Sequence, residues 1–319
     1  MLEDLFSLIH ERFQARASES LADFVKTVPV HPENLDAQAR WVFLYKDTLI
    51  EFLSAPENVE ALIAYSVEHV KEYVYSRNQY LDLSPESRQT LRVRYAAYYT
   101  RIRTLLQESN RVEVFTRQLE AETMMHLTIL SFGLQREIEA YSKSSTEFQA
   151  YLQSVACFEY SPEQQLAMLG ISGAIQPPVL DLGCGAQAAL CRYLHERGVE
   201  VVGIDRMAPD LPFCRRIGWE EFVFGERVWG TIISHQAFSA HFHFHHNHSE
   251  PKAVQMATLL MNILNSLKIG GTFVYTPGLP FIETFITNTG RFELRTVDIA
   301  NAPFAIKSIA YAGHIRRTG

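Results

Sequence analysis

An α/β fold is predicted for the second half of this 319-residue chain: a seven-stranded, mostly parallel sheet, preceded by an all-α domain. Three observations predict it. Residues 179–182 form a short apolar run that is broken at Gly183 and Gly185. Residues 187–197 read as a helix, and 199–204 as a second buried strand with Asp205 at its end. Residues 1 to about 155 read as helix after helix.

Composition bounds the function classes. The chain is 47% hydrophobic and 20% charged, an ordinary globular balance. It is too long for one small core, so one large or two ordinary domains are expected. A net charge of −7 disfavours a broad electrostatic grip on nucleic acid. The four cysteines, at 157, 184, 191 and 214, have no paired metal-ligand spacing and read as free thiols in a reducing cytoplasm. The start, with Glu3 and Asp4 among Leu2, Leu5 and Phe6, is acidic and amphipathic, unlike a signal peptide. No apolar run approaches the ~20 residues of a membrane span. A soluble, cytoplasmic protein is expected.

In the first half, Leu2, Leu5, Phe6, Leu8, Ile9 and Phe13 recur at helical spacing. After Pro29 and Pro32, residues 35–53 carry a stripe of Trp41, Leu44, Tyr45, Leu49 and Phe52. Pro56 sits early in the next helix, predicted to about residue 80. Ser84, Pro85 and Glu86 supply a cap, a first-turn proline and an acid, and that helix continues through Leu91, Tyr95, Tyr98, Ile102 and Leu105. A further helical region spans 111 to about 151, with a break near 142–146. Residues 1–155 are therefore expected to form a helical bundle or cap. Its tyrosines, at 73, 75, 80, 95, 98 and 99, read as core residues with hydroxyls reaching the surface, a pocket-lining lid being the alternative.

The second domain is expected over 156–319. Ser161 caps a short helix that runs to about 169. Strands are predicted at 179–182, 199–204, 221–224, 230–234, 272–276, 292–298 and 307–315, and helices at 187–197, 250–268 and 280–288. Ser249, Glu250 and Pro251 mark one helix start, and Gly270 and Gly271 mark its end and the turn into the next strand. Asn301, Ala302, Pro303 and Phe304 lie between the last two strands, which suits an antiparallel hairpin. Pro209 and Pro212 make a full helix after Asp205 doubtful.

Asp181-Leu182-Gly183-Cys184-Gly185, with Asp205 following 20 residues after Gly185, resembles the class I S-adenosylmethionine (SAM) dependent methyltransferases, whose sheet is Rossmann-like. The resemblance covers 178–319, somewhat under half the chain. It implies SAM as cofactor, its methionine part held by the backbone around Asp181, Gly183, Cys184 and Gly185. Asp205 is placed to accept from both ribose hydroxyls, a bidentate geometry open to a carboxylate. Arg206 covers the adenine or faces solvent. The segment before the first strand folds over the cofactor in many family members, which places Phe158 and Tyr160 against it. Gln187 stands where the usual third glycine is, and the three-glycine dinucleotide fingerprint is absent, which argues against NAD or FAD. Trp219 and residues 222–224 are candidate adenine neighbours, with core packing the commoner explanation.

The end of the fourth strand opens onto the ligand crevice of such a sheet. That puts Ser234, His235 and Gln236 near the reacting group. Six histidines lie between 235 and 248. His241 and His245 on a helix, or His241, His243 and His245 on a strand face, have ligand spacing for zinc or iron. No carboxylate joins them at ligand spacing, so no metal is expected. Neutral imidazoles near pH 7 can instead serve as general bases. His235, His241 and His245, with Tyr160, are the candidate catalytic residues.

The expected function is methyl transfer to nitrogen or oxygen of a small metabolite enclosed under the helical cap. A rival with the same fold is aminocarboxypropyl chemistry on SAM, as in nicotianamine synthases or cyclisation to azetidine-2-carboxylate, which releases methylthioadenosine. An RNA methyltransferase, using Arg92, Arg94, Arg101 and Arg103, and a non-catalytic SAM sensor are weaker rivals. The absence of an Asn/Asp-Pro-Pro-Tyr/Phe box and of a Pro-Cys pair after the fourth strand disfavours methylation of DNA bases and of protein glutamine. The expected partner is a small molecule, with nucleic acid and membrane disfavoured and a homodimer left open.

Overall fold

The computed structural model describes residues 1–15, 20–26, 32–142, 144–153, 155, 160–299 and 309–319. The chain divides into two compact units, Met1–Cys157 and Phe158–Gly319.

The first unit is helical: α1 (Leu2–Ala15), α2 (Leu21–Lys26), α3 (Pro32–Leu44), α4 (Lys46–Phe52), α5 (Pro56–Arg77), α6 (Pro85–Glu108), α7 (Val112–Tyr141) and α8 (Ser145–Leu152). Local signals set the boundaries. Ser84 accepts a hydrogen bond from the Ser87 N–H and Pro85 fills the first turn of α6. The break after Tyr141 is restarted by Ser144, which accepts from the Glu147 N–H. The single helix expected over 35–53 is two helices, interrupted at Tyr45. Leu49, Leu105, Leu106, Phe115 and Leu119 are buried together. Tyr75, Tyr95, Tyr98 and Tyr99 are buried, but the hydroxyls of Tyr98 and Tyr99 bond Thr123 and Ser66 inside the unit instead of reaching the surface. Asn78 is fully buried, and its amide donates to the carbonyls of Tyr151 (3.0 Å) and Gln153 (3.1 Å), tying the end of α5 to the C-terminal end of α8.

The second unit begins with α9 (Pro162–Met168), closed by a capping box between Ser161 and Gln164. There follow β1 (Val179–Leu182), α10 (Ala189–Glu196), β2 (Val201–Asp205), β3 (Cys214–Arg216), β4 (Trp229–His235), α11 (Phe238–His248), α12 (Glu250–Ser266), β5 (Leu267–Thr276), α13 (Pro280–Thr287), β6 (Phe292–Asp298) and β7 (Tyr311–Arg317). The strand order is β3-β2-β1-β4-β5-β7-β6. Neighbours from β3 to β5 pair in parallel, and β7 runs antiparallel to both β5 and β6. The sheet is therefore mixed rather than mostly parallel, because β7 inserts against the direction of both its neighbours. The residues expected to join β6 and β7, 301–304, lie outside the described residues, as does Phe158.

Three strands differ from their predicted positions; the last is Tyr311–Arg317 and not 307–315, of which 307–308 lie outside the described residues. The third is Cys214–Arg216, paired with Gly203, Ile204 and Asp205, and not 221–224. Residues 222–224 lie outside regular structure: Val223 is 86% exposed, and the Trp229 indole N–H donates to the Phe224 carbonyl at 2.9 Å. The fifth strand starts at Leu267, directly after α12, so Gly270 and Gly271 lie inside it and not in a turn. A Cβ on Gly271 would meet the carbonyls of Trp229 (2.9 Å) and Gly230 (3.0 Å), which shows how closely β4 approaches there. Among the described residues, no helix is long and apolar enough to cross a membrane.

Strand alternation divides the core. Leu180, Leu182, Ile204, Ile232 and Phe273 pack with Leu260, Ile263 and Leu264 of α12. Val179, Ile233 and Val274 pack with Leu190, Cys191 and Leu194 of α10. Every residue of β1 is buried. Near the sheet edge, Glu283 is buried and its carboxylate accepts from Tyr275 (2.6 Å), Tyr311 (2.6 Å) and the Leu279 N–H (2.8 Å). Burial, followed by this carboxylate, holds the Tyr275 hydroxyl well above its ordinary pKa. Glu283→Ala leaves three donors without an acceptor and is expected to destabilise the unit by about 2–4 kcal/mol. The thermal unfolding midpoint reads this, and an unchanged midpoint shows the network to be dispensable.

Candidate functional site

The site is built where β1, β2 and β4 end. The chain runs β1, β2, β3 toward one edge and returns to place β4 on the other side of β1. Strand order therefore reverses between β1 and β4, where open α/β sheets hold their ligands beyond the carboxyl ends of the strands.

The turn after β1 needs its glycines. Gly183 has φ 88° and Gly185 has φ 72°, conformations that L side chains rarely adopt. A Cβ on Gly183 would also collide with the Ala237 side chain and come within 3.3 Å of the Trp219 ring. The turn is tied to the end of β2. The N–H groups of Gly183 (2.9 Å) and Cys184 (3.3 Å) donate to the Ile204 carbonyl. The Gly185 N–H donates to Asp205 Oδ2 (3.3 Å), and the Met207 N–H to Asp205 Oδ1 (2.7 Å). Asp205 is thus oriented by the backbone at the mouth of the turn, half-buried, with lone pairs left on both oxygens. The Gln187 carbonyl accepts from Arg192 Nε (2.9 Å), and Ala188, with φ 49°, opens α10.

Asp181 lies beneath this turn, 2% exposed. Alternation along β1 directs it to the α10 face, where Oδ2 accepts from the Cys191 thiol at 3.2 Å. Desolvation by burial pushes its pKa up to about 7, the thiol pulling the other way. The thiols of Cys184, Cys191 and Cys214 lie within 4.8 Å of one another. Sequence spacing concealed this trio, because the parallel pairing of β3 on β2 is what brings Cys214 to the turn. It is the one grouping of three potential metal ligands among the described residues.

Ser234, at the end of β4, is fully buried; its hydroxyl donates to the Leu182 carbonyl (3.0 Å) and accepts from the Phe238 N–H (2.9 Å). It joins β4 to β1 and holds the start of α11. His235 and Tyr160 come together, their rings edge-on at 5.0 Å. His235 Nε2 is buried without a hydrogen-bond partner, and desolvation lowers the imidazole pKa to about 4. Gln236, with φ 51°, turns the chain into α11, and its amide contacts the Met168 sulfur at 3.9 Å.

The histidine run folds as a helix, which separates its rings by face. His241 and His245 neighbour each other with centroids 6.1 Å apart, and His241 meets the Trp219 edge at 4.9 Å. Burial, and then the Arg206 charge, hold His241 well below its usual pKa. Burial, followed by Lys252 and Arg206, lowers His245 to about 3. Arg206 therefore faces α11 from the end of β2. His246 stacks on Phe281 at 3.9 Å, and His248 on Phe244 at 4.4 Å. The sequence candidates thus fall into two groups: His235 with Tyr160, and Arg206 with His241 and His245 beside Trp219. Phe222 and Phe224 pack against each other at 5.1 Å, and Phe222 lies 6.5 Å from Trp229, as core residues do.

No family model matches the chain, and no curated protein sequence matches it. Solved structures similar to it include a SAM-dependent methyltransferase from Mesorhizobium loti, at 22% identity over 34% of this chain and 50% of that one, with a TM-score of 0.26. The N-methyltransferase NodS from Bradyrhizobium japonicum WM9 is similar at 17% identity over 50% of this chain and 94% of that one, TM-score 0.34. The CcbJ methyltransferase from Streptomyces caelestis is similar at 14% identity over 50% and 89%, TM-score 0.34. This chain spans half the length of the Mesorhizobium loti structure. The second unit carries a Rossmann-like sheet, and these solved structures similar to the chain are methyltransferases.

Proposed function

We propose that the second unit binds SAM and transfers its methyl group to nitrogen or oxygen of a small metabolite. The observation that carries this is Asp205: its carboxylate is oriented by the Gly185 and Met207 N–H groups at the end of β2, beside a turn opened by two positive-φ glycines. Gly183 admits no side chain, because Ala237 and the Trp219 ring already pack against it and hold the start of α11 to the turn. In this arrangement Asp205 accepts from the ribose hydroxyls, and the backbone around Gly183 and Gly185 holds the methionine part. Asp181 and Ser234 support the turn and the strand ends from below. Trp219 lies against the turn and supplies an aromatic face.

SAM supplies an electrophilic methyl group on a sulfonium. The nucleophile's lone pair forms the new bond to that carbon as the carbon–sulfur bond breaks, giving S-adenosylhomocysteine. The chain's part is to align the acceptor and take its proton. His235 Nε2, buried and unpartnered, is the base. Tyr160 packs on the same ring and orients it. His241 and His245 form a second neutral pair on the Trp219 side.

Asp205→Ala is expected to weaken SAM binding about 10–100-fold by titration calorimetry, the loss of hydrogen bonds to a charged acceptor. Undiminished affinity overturns the cofactor assignment. His235→Gln is expected to lower the turnover rate about 10²–10⁴-fold while SAM affinity stays within about two-fold. Because the His235 imidazole stays deprotonated down to about pH 4, the wild-type rate is expected to be flat between pH 8 and 6. A fall with a midpoint near 6.5 would instead indicate a solvated histidine as base. Mass spectrometry after incubation with SAM, with and without cell extract, identifies the reaction. S-adenosylhomocysteine formed only with an acceptor is the expected product, and methylthioadenosine from SAM alone sinks methyl transfer.

A further inference from the structure

The helical unit contains a cavity of about 190 Å³ that plays no part in the chemistry above. Its walls are mostly aliphatic, with Leu5, Leu8 and Ile9 of α1 facing Leu49, Leu106 and Leu119. Arg12 of α1 also lines it. The guanidinium donates through Nε to Gln38 Oε1 (2.7 Å) and through Nη1 to the Tyr98 hydroxyl (3.1 Å). Both acceptors are neutral. Among the described residues no carboxylate hydrogen-bonds or ion-pairs with Arg12, and Glu11, which also lines the cavity, is exposed. Two of the five guanidinium N–H groups are used.

A second group waits for a partner in the same wall. His126 is 7% exposed and stacks on the Tyr98 ring at 4.3 Å. Its Nε2 is buried with no hydrogen-bond partner. Burial, then the charges of Arg12 and Arg94, lower its pKa to about 4, so it adds no second charge and can offer a neutral N–H. The nearby hydroxyls are spoken for: Tyr98 bonds Thr123 (2.9 Å) and Tyr99 bonds Ser66 (2.5 Å).

A guanidinium lodged among apolar walls without a counter-charge is costly. A ligand carboxylate removes that cost through charge-assisted, bidentate hydrogen bonds. The volume limits the remainder of the ligand, since an apolar cavity of about 150 Å³ holds one benzene. We infer that this cavity binds a small monocarboxylate with a ring-sized apolar body, its carboxylate on Arg12 and His126 and its ring between the aliphatic walls. A phosphate has no apolar body for these walls. The site lies wholly within the helical unit, so it stands or falls independently of SAM binding by the other unit.

Calorimetric titration of the full chain with benzoate, benzamide and inorganic phosphate tests this. Benzoate is expected to bind with a Kd of about 0.1–1 mM, a normal efficiency for a ligand of that size. Benzamide, the same shape without the charge, is expected to bind at least about ten-fold more weakly, and phosphate not at all. Arg12→Met is expected to weaken benzoate about ten-fold or more and leave benzamide unchanged. Equal affinity for benzoate and benzamide, no benzoate binding, preferential phosphate binding, or undiminished benzoate binding in Arg12→Met each overturns the proposal. Should Arg12→Met fail to fold by circular dichroism, the wild-type comparison of benzoate with benzamide decides.

Discussion

The end of β1 is fastened to the end of β2 by backbone hydrogen bonds, and the second unit is arranged around that joint. Ile204 offers one carbonyl to two successive N–H groups of the turn, and Asp205 takes the third through its side chain. A buried central strand has little choice here. With β2 and β4 on either side and every β1 residue buried, the chain leaves the sheet only at its end, and it must do so sharply. Two residues in the left-handed region achieve this, and the same bend exposes backbone on the side away from the core. Ser234 completes the joint from the other flank by bonding the last carbonyl of β1. The positions of Asp205, of the turn and of the β4 end are consequently three readings of one backbone geometry.

Much of this was legible in the sequence because local chemistry and tertiary outcome agree there. Gly183, Gly185 and Asp205 sit where an apolar run stops, and the caps at Ser84 and Ser161 act as their residue types predict. Failures have equally local causes. Residues 222–224 are apolar enough for a strand, yet Phe222 packs on Phe224 and lies near Trp229 while Val223 points to solvent. The real third strand, Cys214–Arg216, is short and polar and owes its existence to pairing with β2. Gly270 and Gly271 look like a turn, but Gly271 is demanded by close approach of β4 inside a continuous strand. The thiol trio and the pairing of Tyr160 with His235 depend on topology, to which spacing along the chain is blind. So does the convergence of Arg12 with His126, which lie on different helices of the first unit.

Buried ionisable groups around the turn are driven toward their neutral forms, from opposite directions. For His235 and His245 the folded pKa values, about 4 and about 3, lie below the ordinary 6.5. The unfolded chain then takes up protons the native state refuses, and stability declines as pH falls through the interval from about 6.5 toward 4. Asp181, raised from 3.8 to about 7, acts in the reverse sense. Its contribution is full below about 3.8 and fades as pH climbs toward 7. Asp205, at the end of β2, is meanwhile held by the Gly185 and Met207 N–H groups.

Gly203 extends the picture to a position with no side chain of its own. A Cβ there would come within 2.5 Å of the Cys191 sulfur and 3.0 Å of the Cys184 sulfur. The space over this strand residue is therefore filled from two sides, by a helix through Cys191 and by the turn through Cys184. Any side chain introduced at 203 competes with both. Mid-strand sterics thereby become a lever on a loop whose own residues are untouched.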